Sequence, residues 1–201
     1  MFEIELKARV SLEERPGLIQ RLNGFASYRG AVKKSDSYYA LEDKKRCRIR
    51  MESPFRCPEQ PLEGEAEGQS HVFFTYKRKE LRVGSDGHAL EVNDEKECEL
   101  SDADPLRSCL LDNGFSLVQQ KEKSVLGWQW NAVHIELCSV PPLGDFLELE
   151  TFAPDSGAAT VEAAQRLLKG VLKKAGIAET AIENRYYSEL LREAEKALEK
   201  K

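Results

Sequence analysis

The chain has 201 residues, of which 41% are hydrophobic and 32% charged, and its formal net charge is −5. This acidic balance argues against a nucleic-acid binder, and no apolar stretch approaches the roughly 20 residues of a membrane-spanning helix. The length suits a single domain over 1–201 with its own core. No basic segment followed by an apolar run opens the chain, and the five cysteines contain no C-x-x-C pair. We therefore expect a cytoplasmic protein with reduced thiols, without membrane or nucleic-acid partners.

The first half of the chain predicts one helix among five strands. The first strand runs from Phe2 to about Val10, where apolar and charged residues alternate with a period of two. Ser11-Leu12-Glu13-Glu14 has the form of a capping box and predicts a helix over 11–23 that stops at Asn23-Gly24. Further strands are predicted over 32–41, 45–51, 71–79 and 89–100, with a Pro/Gly-rich loop at 54–70 and a turn at 84–87.

The second half predicts three more strands and a helical C-terminal segment over about 156–199. Pro141-Pro142-Leu143-Gly144 is typical of a turn between the last two strands. Strands joined by short connections are mostly antiparallel, and helices lie between them in the sequence, so the pattern predicts an α+β barrel. The predicted elements are a helix over 101–113, strands over 116–125, 128–137 and 145–152, and helices over 156–175 and 182–198.

One face of almost every predicted strand carries ionisable side chains. A solvated sheet face alternates in the same way, but exposed ion pairs contribute only about 0–1 kcal/mol each, so clustered like charges gain little there. We therefore expect these faces to line an enclosed interior, with helices covering the apolar outer face. The set is Glu3, Glu5 and Lys7; Arg46, Arg48 and Arg50; Lys77 and Lys79; Glu95, Glu97 and Glu99; Lys121 and Lys123; His134, Glu136 and Cys138; Glu148 and Glu150.

An interior with both acidic and basic walls suits a metal-bound polyphosphate. Arginine and lysine bind phosphate oxygens, and carboxylate oxygens are the ligands that Mg²⁺ prefers. Without ligand, like charges would repel one another within each wall, so we expect a bound metal–triphosphate to stabilise the fold. The alternative is a structural protein whose charged strand faces meet solvent.

Several motifs follow one another in a fixed order along most of the chain. They are Glu3-x-Glu5-x-Lys7, Ser35-Asp36-Ser37-Tyr38-Tyr39, Arg48-Ile49-Arg50, Phe74-Thr75-Tyr76-Lys77, Glu97-x-Glu99, Gly114-Phe115, Lys123, the run 143–150 and the run 187–191. In this order they resemble the CYTH family, also called triphosphate tunnel metalloenzymes. The resemblance implies an eight-stranded antiparallel closed β-barrel, a tunnel with helices packed outside, that binds a triphosphate together with Mg²⁺ or Mn²⁺.

The resemblance also implies roles for individual residues, matched by position. Glu3, Glu5 and Lys7 would be catalytic. The metal would be held by Glu3, Glu5, Glu136, Glu148 and Glu150, and the phosphates by Lys7, Arg48, Arg50, Lys77 and Lys123. Further candidates are Glu97, Glu99, Lys79, Lys121 and Tyr38.

Two positions depart from the family's pattern. Leu137-Cys138 stands where the family has a Leu-Asp pair, and a thiol is a poor ligand for Mg²⁺. Glu136 lies on the same face two residues away and is the expected substitute. Lys123-Ser124-Val125 stands where the family has a K-x-R pattern, so one basic contact is missing.

Three functions follow from the resemblance. The branch that the motifs favour is the class IV adenylate cyclase, which converts ATP to cyclic AMP and pyrophosphate. The first alternative is a triphosphatase that hydrolyses inorganic, thiamine or nucleoside triphosphate. The second is a nucleotide- or polyphosphate-binding module whose catalytic site is impaired at Cys138 and Val125. A homodimer is left open as the oligomeric state.

Overall fold

The computed structural model describes residues 2–42, 45–60, 68–83 and 89–198. Eight strands and four α-helices follow one another along the chain, with a 3₁₀ turn at Glu179–Ala181. They are β1 (Phe2–Val10), α1 (Arg15–Asn23), β2 (Ser27–Leu41), β3 (Lys45–Pro54), β4 (His71–Val83), β5 (Ala89–Leu100), α2 (Asp104–Asp112), β6 (Ser116–Trp130), β7 (Val133–Val140), β8 (Gly144–Ala153), α3 (Ala158–Lys174) and α4 (Tyr187–Leu198).

The eight strands form a closed barrel in the order β1-β5-β4-β3-β2-β6-β7-β8, and every pairing is antiparallel. β1 closes the barrel, because it pairs with β5 on one side and with β8 on the other. Glu5 lies opposite Glu91 of β5 and Glu150 of β8. The predicted α+β fold, an antiparallel eight-stranded tunnel with helices, is therefore confirmed.

The barrel wall separates two environments because successive side chains of a strand point to opposite faces. The outward residues of β1 and β8, such as Ile4, Leu6 and Leu149, pack in one core with Leu18 of α1 and Leu168 of α3. The inward positions carry the charged set. The interior also holds a small apolar cluster of Val125, Cys138, Val140 and Phe146, which Leu190 of α4 covers. The helices thus bury the outer wall, while α4 packs against one end of the interior.

The boundary between β6 and β7 differs from the prediction. β6 continues through Gly127 to Trp130, so the predicted break at 126–127 and the start of the next strand at 128 are wrong. Gly127 pairs with Gly30 of β2, within the sheet. The turn lies at Asn131 and Ala132, and Asn131 adopts a positive φ of 50°. Asparagine tolerates this left-handed conformation, which makes it a turn residue here.

The last helix begins later than predicted. The predicted start at 182 is wrong, because α4 starts at Tyr187 and the residues before it run along β1. Ile182 bridges to Ala8, and the Glu183 N–H donates to the Lys7 carbonyl at 2.8 Å. The described pairing of β1 with β5 ends at Glu5, so the backbone of β1 beyond it needs other partners, and residues 182–183 supply them.

The remaining helix signals are close to the structure. Ser11 and Glu14 form the reciprocal bonds of a capping box, with the Ser11 hydroxyl 2.7 Å from Glu14 Oε2, but they close a turn, and α1 itself starts at Arg15. Gly176, with φ of 76°, follows α3 as predicted. Within the described residues, every helix is too short or too polar to cross a bilayer.

Candidate active site

A cavity of about 900 Å³ occupies the barrel interior. Inward positions from all eight strands line it, which brings together most of the residues that the sequence singled out. Those that line it are Glu3, Glu5, Tyr38, Arg48, Arg50, Glu97, Lys121, Lys123, Glu136, Glu148 and Glu150.

Four predicted site residues are absent from this lining as the structure describes it, and one of them is Lys7, whose ammonium donates to the carbonyl of Arg185. Glu99 lies at the rim with 57% of its side chain exposed, and it pairs with His71 at 2.5 Å, so the structure does not bring it to the cavity. The side chains of Lys77 and Lys79 lie outside the described part of the chain, although their backbone belongs to β4.

An acidic cluster forms where β1 meets β5. Glu3 accepts a hydrogen bond from Asn93 Nδ2 at 2.9 Å, and Glu91 lies 3.6 Å from the ammonium of Lys7. Glu5 makes no hydrogen bond or ion pair with any residue whose side chain the structure describes. Burial, followed by the charges of Glu91, Glu148 and Glu3, raises the pKa of Glu5 to about 7. Within this cluster Glu5 therefore lacks a cationic partner among the described side chains.

The basic wall, by contrast, contains its own counter-ion. Asp36, which is 2% exposed, accepts two bonds from Arg50, Nε at 2.6 Å and Nη2 at 2.9 Å, and lies 3.3 Å from the Lys121 ammonium. Burial favours the neutral acid, but the charges of Lys121 and Arg50 hold the pKa of Asp36 well below its usual range. The expectation that the basic wall repels itself when empty is therefore wrong, because a buried carboxylate lies within it.

Arg48 retains a free donor. Its Nη2 donates to Thr75 Oγ1 at 2.9 Å and lies 3.4 Å from Glu97 and 3.6 Å from Glu95. Its Nε is buried and has no hydrogen-bond partner among the described residues. Buried donors in folded proteins nearly always have a partner, so an orphan facing a polar cavity indicates a place for an anion or a water.

Lys123 lies at the centre of a third cluster. Its ammonium is 2.6 Å from Glu148, 3.0 Å from Glu136 and 3.4 Å from the thiol of Cys138. The other oxygen of Glu136 accepts a bond from Lys34 at 2.7 Å. Burial opposes ionisation, yet Lys123 lowers the pKa of Glu148 to about 2, and Lys123 and Lys34 hold that of Glu136 well below its usual range.

The C-terminal segment closes one end of the cavity. The Tyr187 hydroxyl donates to Glu148 Oε1 at 2.5 Å, and its ring lies 4.5 Å from the Lys7 ammonium and 4.7 Å from that of Lys121. Lys7 donates in turn to the carbonyl of Arg185 at 2.8 Å. Burial, followed by the charge of Glu148, raises the pKa of Tyr187 well above its usual value, so the hydroxyl keeps its proton.

Several residues of the site were missed from the sequence. Strand periodicity could have found Lys34 and Asp36, which share the inward face of β2 with Tyr38, and Glu91 and Asn93, which extend the acidic face of β5. Tyr187 begins the motif at 187–191, but strand periodicity gives it no role in the cavity, because it reaches the cavity only through the path of 182–186. The missed residues are Lys34, Asp36, Glu52, Glu91, Asn93 and Tyr187.

The sequence of the chain matches the CYTH domain model over residues 1–187. The chain belongs to the CYTH family. No curated protein matches it. Solved structures share the CYTH fold at low identity. The PH1012 protein of Pyrococcus horikoshii OT3 is 24% identical with a TM-score of 0.68, over 94% of this chain and 98% of that one.

Two further proteins with this fold have names that state an activity. A "putative adenylate cyclase" of Vibrio parahaemolyticus is 17% identical with a TM-score of 0.70, over 96% of this chain and 98% of that one. The Hippeastrum "putative adenylyl cyclase HpAC1", described as having a dominant triphosphatase activity, is 16% identical with a TM-score of 0.62, over 96% of both chains. At such identities the likeness shows the fold alone.

CYTH enzymes use divalent metals, and two carboxylate groups of this CYTH domain differ as candidates to hold one. The cluster of Glu3, Glu5 and Glu91 offers carboxylate oxygens, and Glu5 has no cationic partner among the described side chains, which fits a hard cation. The ligand atoms of Glu136, Cys138 and Glu148 lie within 4.8 Å of one another, but the Lys123 ammonium contacts all three. The first group therefore fits a metal ion, whereas the second already surrounds the ammonium of Lys123.

Proposed function

We propose that this CYTH domain is a divalent-metal-dependent enzyme that acts on a triphosphate and that its reaction is the cyclisation of ATP to cyclic AMP and pyrophosphate. The observation that carries the proposal is the meeting, in one cavity of about 900 Å³, of a carboxylate cluster around Glu5 and several buried cations. A cavity of this size falls in the range of small-molecule sites that hold a whole ligand.

The triphosphate would lie against the basic wall. Arg48 offers its orphan Nε, while Lys121 pairs with Asp36 and Arg50 pairs with Asp36 and, at 3.7 Å, with Glu52. A bound polyphosphate would accept hydrogen bonds from the donors of this wall, with guanidinium groups binding its oxygens in pairs. Lys7 and Lys77 remain predictions as phosphate contacts, whereas Lys123 would stay bonded to Glu136 and Glu148.

The acidic cluster would hold Mg²⁺ or Mn²⁺ through Glu3, Glu5 and Glu91, with Glu150 beside Glu5 on β8. A cation bound there would polarise phosphoryl oxygens as a Lewis acid. Binding of the cation would also hold Glu5 ionised at neutral pH, where its own surroundings leave it about half protonated. Glu136 and Glu148 would stay bonded to Lys123.

Hydrolysis of a triphosphate is the second candidate. It is favoured by the closed end of the cavity, where Tyr187 covers Lys7 and Glu148, because a short polyphosphate fills such a pocket without a nucleoside. The Hippeastrum relative, which shares the fold, is described as having a dominant triphosphatase activity. The two reactions differ in the nucleophile, which is the ribose 3′-hydroxyl in one and water in the other.

Product analysis tests both candidates. The protein is incubated with ATP, tripolyphosphate or thiamine triphosphate and with Mg²⁺ or Mn²⁺, and the products are resolved by ³¹P NMR and chromatography. Cyclic AMP with pyrophosphate supports the cyclase, and orthophosphate supports the hydrolase. The same assay is run on Glu5→Gln, which should lose turnover. Glu122→Gln is its control, because Glu122 is exposed and pairs only with the exposed Lys33 among the described residues. Absence of turnover with every substrate and metal would refute an enzymatic function.

A further inference from the structure

We propose that the ammonium of Lys123 permanently occupies the carboxylate–thiol site of Glu136, Cys138 and Glu148, so that the barrel takes one divalent cation, at the Glu5 cluster, and not two. The inference rests on the proposed function, since it concerns how many cations the same cavity binds. It follows from the positions of the atoms around Lys123.

The first reason is geometric. Three potential ligand atoms lie within 4.8 Å of one another, which is the arrangement that a metal ion requires, and the Lys123 nitrogen contacts each of them at 2.6 to 3.4 Å. Lys123 is 4% exposed, so its ammonium could reach solvent only by giving up its contacts with both carboxylates. A buried ammonium without its carboxylates would be strongly disfavoured, and this keeps it in place.

The second reason is the bonding of the carboxylates. Glu148 accepts Lys123 on one oxygen and the Tyr187 hydroxyl on the other. Glu136 accepts Lys123 on one oxygen and Lys34 on the other. All four oxygens therefore have a donor, and a metal would have to displace at least one of them.

The third reason is charge. Glu136 and Glu148 bring two negative charges, and Lys34 and Lys123 bring two positive charges. Cys138 stands at a position where a carboxylate would add a third negative charge. Lys34 also lies 3.2 Å from Glu52, and with a thiol at position 138 the site attracts a divalent cation less than a third carboxylate there would allow. Glu5 differs, because it makes no ion pair with any side chain that the structure describes.

Manganese binding tests the inference without reference to turnover. Titration of the whole protein with Mn²⁺, followed by the EPR signal of the free ion, should give one bound ion per chain. Lys123→Met, which removes the ammonium and keeps most of the stem, should raise the number to two and add the spin coupling of neighbouring ions. Lys33→Met, an outward lysine of β2, is the matched control and should stay at one.

The outcomes separate this inference from the proposed function. Two ions bound to the unaltered protein, or one ion bound to Lys123→Met, would overturn the inference and leave the proposed function standing. An unaltered protein that binds no Mn²⁺ would overturn both. If Lys123→Met does not fold, the absorption spectrum of the unaltered protein with Co²⁺ shows whether a metal ion binds beside Cys138. A thiolate-to-cobalt absorption band that Cys138→Ser removes would show a metal at the Lys123 site and sink the proposal, and its absence would support it.

Discussion

The two charged clusters at Glu5 and at Asp36 face the same cavity and are built in opposite ways. Asp36 is enclosed by Arg50 and Lys121, and its pKa lies well below the usual range, so that cluster is stable without ligand. Glu5 is enclosed by other carboxylates, and its pKa rises to about 7. The comparison shows that the number of charged groups does not identify a binding site. The charge that remains uncompensated does, because only that charge gains a partner when a ligand arrives.

Removal of the buried carboxylate should have the largest effect. Asp36→Asn leaves Lys121 without its carboxylate and Arg50 with Glu52 alone, at 3.7 Å, and breaking a buried ion pair in this way typically costs about 3–5 kcal/mol. We expect a marked loss of thermal stability that tripolyphosphate partly restores, measured by calorimetry. The control is Asp94→Asn, since Asp94 also pairs with two cations, Arg78 and Lys96, but at the surface. Equal losses in the two variants would contradict the comparison.

Glu5→Gln should affect activity more than stability. The amide keeps the shape but removes a charged oxygen ligand, and loss of one electrostatic contact to the reacting group lowers kcat by about 10²–10³-fold. We expect this loss in the ATP assay, together with weaker Mn²⁺ binding, while the unliganded protein becomes more stable at pH 7.5. An active variant with unchanged Mn²⁺ affinity would show that the cation binds elsewhere.

The stability of the metal-free protein should depend on pH through Glu5. Its folded pKa of about 7 exceeds the ordinary value near 4.5, so the folded state binds the proton more tightly than the unfolded state. The stabilising contribution is therefore full below pH 4.5 and is lost as the pH rises to 7, by up to about 3 kcal/mol. Urea unfolding between pH 5 and 7.5 should show this decline, and Mg²⁺ or Glu5→Gln should flatten it. A flat profile for the unaltered protein would contradict the assignment.

Tyr187→Phe should have the smallest effect. It removes the hydroxyl that donates to Glu148 and leaves the ring between Lys7 and Lys121, so we expect a loss of about 1–2 kcal/mol in the free energy of unfolding. Tyr76→Phe, at an exposed tyrosine, is the control and should change little. A loss of unfolding free energy no larger than that of the control would show that the hydrogen bond to Glu148 does not stabilise the closed end of the cavity.

The sequence predicted much of the barrel because strand periodicity is local. Glu3 and Glu5, or Glu148 and Glu150, lie on one face whatever the rest of the chain does, and the order of motifs then indicated the family. The turn at Asn131 was missed because a glycine four residues earlier is the stronger turn signal, although Gly127 lies inside β6. Alternation also cannot show which charges become partners, so the pairing of Asp36 with Arg50 required the register of β2 with β3.

The path of residues 182–186 illustrates the limit of such reasoning. Residues 182–198 have a helical composition, yet the first five follow β1 because Lys7 and Ala8 offer open backbone groups there. That partner lies some 175 positions earlier in the chain. Propensity carries no information about it, and tertiary contacts decided the conformation.

The position of β1 has a consequence for biosynthesis. β1 is synthesised before the other strands of the barrel but finds its neighbours only in β5 and β8, and its last backbone contacts come from residues 182–183. Until these late segments emerge, Phe2–Val10 exposes an apolar face and unpaired strand edges, which are the features that chaperones bind and that promote aggregation. Closure of the barrel is therefore one of the last events after translation, and contacts of such long sequence separation should make it slow.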